Sequence, residues 1–395
     1  MLSGGIDMQQ RPLTSVPRPS ESPTDFPAAT ERVYLNAASV ALMPRPATDA
    51  VAAWYADLAQ HGTLHFDEAA EDRVFDELWT SFAGLMGARS QDIAVASSAT
   101  ELIQSLAWAL MPGAGRTIVT TEVVFPTTAY PWARVARHSG ASLRFVPAPG
   151  GVVDEDQLIA AIDNSTAVVS VCQVEYSTGQ RYDLHRLADA ARRSGAFLLV
   201  DASQALGHVP FDVTETPVDA VVTTSYKWLC GPFGVGLLYL APEWQARLDP
   251  GIVGWRTHAE MWDLRADRCV PHQDARHFEF STMAYGCAVG LARSIDYLCA
   301  LGIPRVFAHT VALGNRLVGG LQELGWELVS PQHPHARSAI VSARLPGRSP
   351  EDLVRHLGQA EVVVSARRDL VRFSPHLYNT EDDIEQALRA LRRIA

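Results

Sequence analysis

Thr224-Ser225-Tyr226-Lys227-Trp228-Leu229-Cys230-Gly231-Pro232-Phe233-Gly234-Val235-Gly236 is the stretch on which the reading of this chain turns. It starts at the end of one apolar run, 220–224, and opens into another, 234–240. Between them lies a Gly-rich turn holding the only lysine among 33 basic residues; every other one is arginine. Arginine cannot shed its proton and attack a carbonyl, whereas lysine can. Aromatic neighbours desolvate an amine and lower its pKa, which suits it to Schiff-base chemistry. A surface lysine that merely drifted here is the plainer alternative.

Outward from this turn, short apolar runs at 93–96, 116–124, 143–146, 167–174 and 196–200 alternate with amphipathic stretches. One such stretch, 154–162, opens with a capping box of Asp154 and Gln157, and another, 183–193, stops at Gly195. Continuous apolar strands alternating with helices predict an α/β fold: a large domain with a mostly parallel, seven-stranded-type sheet sandwiched by helices. Helical patterns at 285–301 and 304–324 lead to strands at 338–345 and 361–366, with helices at 350–357 and 381–393. That end reads as a smaller C-terminal α+β domain. The division expected is a Pro-rich flexible tail over 1–28, a large domain over 29–300 and a small one over 301–395.

Composition narrows the classes. The chain has 395 residues, 47% hydrophobic and 19% charged, enough to bury a sizeable core and too apolar for a disordered protein. A net charge of −11 argues against nucleic acid or an anionic membrane as the main partner. Five cysteines without CxxC spacing read as reduced thiols, and no metal site is expected. Neither a signal-peptide pattern nor an apolar run of about 18 residues is present in the sequence, so a soluble cytoplasmic protein is expected.

Ligands of open α/β sheets bind outside the carboxyl ends of the strands. After 93–96 come Ser97-Ser98-Ala99-Thr100-Glu101, small residues opening a helix and able to cradle a phosphate, though such residues also cap helices everywhere. After 196–200 come Asp201-Ala202-Ser203-Gln204; a carboxylate there needs a partner, either a local cap or a protonated heterocyclic nitrogen. After 220–224 comes Lys227. Phosphate cradle, carboxylate and lysine in this order are the three handles of pyridoxal 5′-phosphate (PLP).

From about Val33 onward the sequence resembles fold-type I PLP enzymes of the class V aminotransferase and cysteine-desulfurase-like family. The likeness is carried by Tyr34-Leu35-Asn36-Ala37-Ala38, Ser98-Ala99-Thr100-Glu101, Thr178-Gly179, Asp201-Ala202-Ser203-Gln204, Thr224-Ser225-Tyr226-Lys227 and Arg372-Phe373-Ser374-Pro375-His376-Leu377-Tyr378-Asn379. The resemblance implies that Lys227 bears the cofactor and shuttles the Cα proton. It gives Asp201 the pyridine nitrogen, Gln204 the phenolic oxygen, and Ala99, Thr100, Thr224 and Tyr226 the phosphate. Arg372 would clamp the substrate carboxylate. A homodimer is implied, with Ser281 and Thr282 of Phe278-Glu279-Phe280-Ser281-Thr282 reaching the partner's phosphate, unless that stretch is only a strand end. Asn36, Tyr176, Trp255, Arg256, His258 and His376 are substrate-pocket candidates, each with a packing or surface alternative.

Two departures matter. Desulfurases carry a nucleophilic cysteine just before the carboxylate-binding arginine; residues 362–371 here contain none. The ring-stacking position is Phe125 within Phe125-Pro126-Thr127-Thr128, which, like Gly254-Trp255, is similar to kynureninases. The expected activity is an external aldimine with an amino acid followed by C–S β-elimination from an S-substituted cysteine, in the manner of specialised-metabolism lyases. Decarboxylation-coupled deamination, an aminotransferase, an epimerase, a kynureninase-like hydrolase and a non-catalytic PLP-fold binding module are the alternatives.

Overall fold

The structure, a computed structural model, describes residues 25–393. A short β1 (Val33–Tyr34) precedes the seven strands of a large sheet. These are β2 (Ile93–Ala96), β3 (Thr117–Thr121), β4 (Ser142–Val146), β5 (Thr166–Cys172), β6 (Phe197–Asp201), β7 (Ala220–Thr224) and β8 (Gly236–Leu240). Their order is β2-β8-β7-β6-β5-β3-β4. Only β8 runs against its neighbours; the remaining pairs are parallel. Each strand coincides with one of the apolar runs.

The runs are continuous because both faces of the sheet are covered. Every residue of β6, β7 and β8 is buried. Along β6, Leu198 and Val200 enter one core while Phe197 and Leu199 enter another on the opposite face. Asp154 caps its helix, accepting from the Gln157 amide at 3.4 Å, but the reciprocal half of the expected capping box is absent: the Gln157 side chain donates at 3.1 Å to the Asp154 carboxylate and not to its backbone. Gly195 ends the helix Leu184–Ser194 in the left-handed region, φ 67°.

The small domain departs from expectation in detail. Its strands are β9 (Glu327–Leu328), β10 (Val341–Arg344), β11 (Val362–Val363), β12 (Ser365–Arg367) and β13 (Leu370–Phe373). The single strand expected at 361–366 breaks at Val364 into β11 and β12, which join different sheets. Antiparallel β12-β13-β10-β9 form one sheet, and β11 pairs in parallel with β1, Val33 opposite Val362. Val33 and Leu35 therefore sit in the C-terminal core with Leu353 and Phe373. Of the N-terminal segment assigned by sequence to the large domain, β1 and Leu35 pack into the small one, while Ala37, Ala38 and Ala41 beyond them join the core of the large sheet.

The expected tail also needs correction. Residues 1–24 lie outside the described residues, but 25–28 are part of the fold. Phe26 is fully buried, with its ring 5.0 Å from Tyr378 and 5.9 Å from Tyr297. Among the described residues, no single helix is long and apolar enough to cross a membrane. Phe26→Ala leaves a cavity between two aromatic rings and should cost about 3–5 kcal/mol in chemical denaturation. A change under about 1 kcal/mol would return this segment to the tail.

Candidate active site

The parallel strands and β2 all deliver their carboxyl ends to one edge of the large sheet. There the segments after β2, β3, β5, β6 and β7 close around a pocket. Nine of the residues read from sequence line it: Ala99, Thr100, Phe125, Tyr176, Asp201, Gln204, Thr224, Tyr226 and Lys227.

The cradle is a helix N-terminus. Ser98 caps the helix Ala99–Leu110 by accepting from the Glu101 amide at 3.2 Å. The amides of Ala99 and Thr100 have no backbone acceptor and stand at the positive end of the helix dipole. The approach of β8 to this turn requires glycine: a Cβ on Gly236 would fall 2.3 Å from the Ser98 carbonyl carbon and 2.5 Å from the Ala99 nitrogen.

Asp201 is buried and fixed through both oxygens. Thr128 donates its hydroxyl to Oδ2 and the Ser203 amide donates to Oδ1, each at 2.9 Å. Lys227 is buried, and burial pulls its pKa below the ordinary lysine range, with Asp201 opposing the shift and Arg372 adding to it. Its Nζ lies 5.3 Å from the centre of the Phe125 ring. Phe125 meets Tyr176 edge-on at 5.3 Å, and Tyr226 stacks on Phe233 at 4.4 Å. Gln204 uses both ends: Nε2 donates to the Ala38 carbonyl at 3.0 Å and Oε1 accepts from the Trp228 indole at 2.8 Å.

Arg372, central in the small sheet, is buried yet has no acid partner among the described residues. Nη1 donates to the Tyr176 carbonyl and Nη2 to the Ser39 hydroxyl, both at 2.7 Å, while Nε has no partner. Burial, with Arg367 nearby, lowers its pKa to about 9. Asn36 is one step removed, accepting from Ser39 at 2.8 Å.

Other candidates do not reach this pocket. Arg256 faces the core, 4.8 Å over the Phe75 ring and 3.8 Å from the buried carboxylate of Glu279, so it serves packing instead of substrate. His376 is fully buried behind the lysine turn, bonded to the Trp228 carbonyl at 3.0 Å; burial lowers its pKa to about 4 and keeps it neutral. His258 is buried and accepts from the Glu260 amide at 2.9 Å, and Trp255 packs on Trp262 at 5.4 Å. Ser281 is half-buried and Thr282 exposed, outside the lining of this protomer's pocket.

Sequence reasoning passed over Thr128, Ser203 and Ser39. Thr128 had a signal, since it stands three residues after Phe125 at the start of the helix Pro126–Ser139 and faces the sheet. Outside the pocket, His61 and His65 both bond Asp57 Oδ1 at 2.9 Å on the surface. No metal was expected from sequence; among the described residues this trio brings three donor atoms within 4.8 Å of one another, close enough to hold a metal ion.

A class-V aminotransferase family model matches residues 33–387. The chain belongs to that family. Isopenicillin N epimerase of Amycolatopsis lactamdurans is 30% identical, the match covering 93% of this chain and 96% of that protein. A probable cysteine desulfurase of Methanothermobacter thermautotrophicus is 28% identical over 94% of this chain and 96% of its own. The solved cystine C–S lyase C-DES, in complex with cysteine persulfide, superposes with a TM-score of 0.84 at 23% identity, covering 93% of this chain and 98% of that one, a likeness of fold. The class-V chain described here is thus a PLP-dependent enzyme acting on an amino acid.

The residues present fit that cofactor: free amides for a phosphate, a buried carboxylate for a ring nitrogen, and a desolvated amine for an aldehyde. Gly236→Ala should push the Ala99 amide off the phosphate and weaken cofactor retention about tenfold or more, read as PLP release on dilution. Unchanged retention would remove this turn from the cradle.

Glu175, buried beside the site, is pushed up to about 7 by burial and accepts from Tyr182 at 2.9 Å and Thr121 at 3.2 Å. Below pH 4.5 both folded and unfolded chains hold its proton; between there and about 7 only the folded chain does, so stability falls as pH rises. Glu175→Gln lacks this proton, and its melting advantage over wild type should grow from pH 5 to pH 8, by up to about 3 kcal/mol. A pH-independent difference would contradict the shift.

Proposed function

We propose that this class-V enzyme cleaves the C–S bond of an S-substituted L-cysteine by β-elimination. The observation that carries the reading is a pocket with one proton-transferring amine and no cysteine able to attack. Residues 362–371, where desulfurases hold their nucleophile, form β11, β12, the β12–β13 turn and the start of β13 without a cysteine. The two thiols near the pocket, Cys172 and Cys230, are buried, and burial raises both well above the ordinary thiol range. They stay protonated and inert.

PLP, when bound, supplies an electrophilic carbonyl for the amino group and a ring that draws electrons from Cα. The chain's own residues then divide the remaining work. Ala99, Thr100, Thr224 and Tyr226 would hold the phosphate, Asp201 the ring nitrogen in its protonated form, and Phe125 one face of the ring. Gln204 would donate to the ring oxygen with the hydrogen of Nε2 not used on Ala38. Arg372 would pair with the substrate carboxylate, and a carboxylate held as the anion by a buried guanidinium resists loss as carbon dioxide. Lys227 Nζ would take the Cα proton; the Cβ–S bond then breaks with its electron pair on sulfur. The sulfur leaves as a thiol, and one water completes pyruvate and ammonia. The family's dimeric habit suggests that Ser281 and Thr282, outside their own pocket, complete the partner's phosphate site.

Elimination needs a single base and a leaving group, which this pocket and substrate class supply. Incubating the holoenzyme with S-substituted cysteines should give equimolar pyruvate, ammonia and thiol, and Lys227→Ala should lose about 10²–10⁴-fold in rate. Deuterium entering Cα from heavy water without pyruvate would replace elimination by epimerisation. An aldehyde with carbon dioxide would replace it by decarboxylation.

A further inference from the structure

Two arginines, not one, converge beside this pocket. Arg367 Nη2 donates to Ser39 Oγ at 2.8 Å, and Arg372 Nη2 donates to the same oxygen at 2.7 Å. Ser39 donates its hydroxyl hydrogen bond to Asn36 Oδ1 at 2.8 Å, so toward the two cations its oxygen acts as an acceptor. Neither guanidinium is paired with a carboxylate among the described residues. Nη1 of each is spent on a backbone carbonyl: that of Tyr176 for Arg372, and that of Ala366, at 2.7 Å, for Arg367. Arg372 Nε, fully buried, has no partner.

Two like charges meeting on one neutral hydroxyl repel, and the outlay is recovered only when anions arrive. Both guanidiniums also act electrostatically on Lys227, and Arg372 is tied to the pocket through the carbonyl of Tyr176, one of its lining residues. The hairpin holding Arg367 is pinned. Arg367 pairs with Leu370 across the two-residue turn Arg368-Asp369, in which Arg368 adopts φ 54°, a conformation that non-glycine residues seldom enter. The position of Arg367 is therefore set by the backbone of the small sheet.

One carboxylate occupies one guanidinium; the second arginine calls for a second anion. We infer that the substrate carries a further carboxylate on its side chain, bound by Arg367 while Arg372 takes the α-carboxylate. Arg367 is then the residue that selects among S-substituted cysteines. This rests on the amino-acid pocket proposed above but not on the bond that breaks in it.

The test uses an isosteric acid and amide, S-carboxymethyl-L-cysteine and S-carbamoylmethyl-L-cysteine, on the holoenzyme. Wild type should favour the acid by about 10–100-fold in kcat/KM, chiefly through KM, as expected for one charged hydrogen-bonded contact. Arg367→Gln should collapse that preference, and Arg367→Lys should restore part of it. Melting curves confirm that each variant is folded. Equal use of acid and amide by wild type, or a preference that survives in Arg367→Gln, would overturn the inference. If neither compound yields pyruvate, elimination fails as a reaction. The selectivity is then read without turnover, from the change in cofactor absorbance on binding, and the same ratio of dissociation constants decides it.

Discussion

Trp228 is the wedge on which the site depends. It is fully buried, stacked on His208 at 3.7 Å, and bonded through its indole to Gln204 and through its carbonyl to His376. One side chain thus joins the segment after β7, which carries the lysine, to the segment after β6, which carries the carboxylate. It joins both to the C-terminal stretch that follows β13. Close packing demands matching concessions. Gly207, at φ 105°, would place a Cβ 2.0 Å from the Trp228 carbonyl oxygen, and burial lowers the His208 pKa to about 3, so the stacked pair stays uncharged. The Lys227 amine, buried near the Phe125 and Tyr226 rings, loses water, and its lowered basicity follows from packing before any ligand is considered.

The second organising feature is electrostatic. The chain as a whole is acidic, yet Lys227 feels Arg372 and Arg367 as well as the carboxylate of Asp201. The acids nearest by sequence are withdrawn: Glu175 is buried with a raised pKa, and Glu101 accepts from Ser97. Basic side chains grouped near one amine attract anions to that place, and do so more strongly at low ionic strength.

Much of this was legible in the sequence because burial on both faces writes strands as unbroken apolar runs. All seven strands of the large sheet were found that way, and the residues following three of them named the cofactor chemistry. What failed was long-range or short. β1, β9 and β13 are short strands that the sequence reading did not give, and β1 finds its partner only across the whole chain. Arg256 and His376 have the composition of a site but the burial of a core, a difference that no local pattern encodes. Arg367 stood in plain view within the segment lacking a cysteine, and it acquires meaning only once Ser39, from the far end of the chain, is laid between it and Arg372.

The pairing of β1 with β11 has a consequence for how the molecule is made. Val33 emerges among the first folded residues, and its partner Val362 is among the last. At roughly 5–20 residues per second of synthesis, the first strand waits on the order of 15–60 s with its edge open. The large sheet can close without it, because every one of its strands lies between 93 and 240. The strands of the sheet that carries the lysine and the carboxylate thus come from one continuous stretch of chain. The pair of arginines does not: Ser39 meets Arg367 and Arg372 only across separations of 328 and 333 residues.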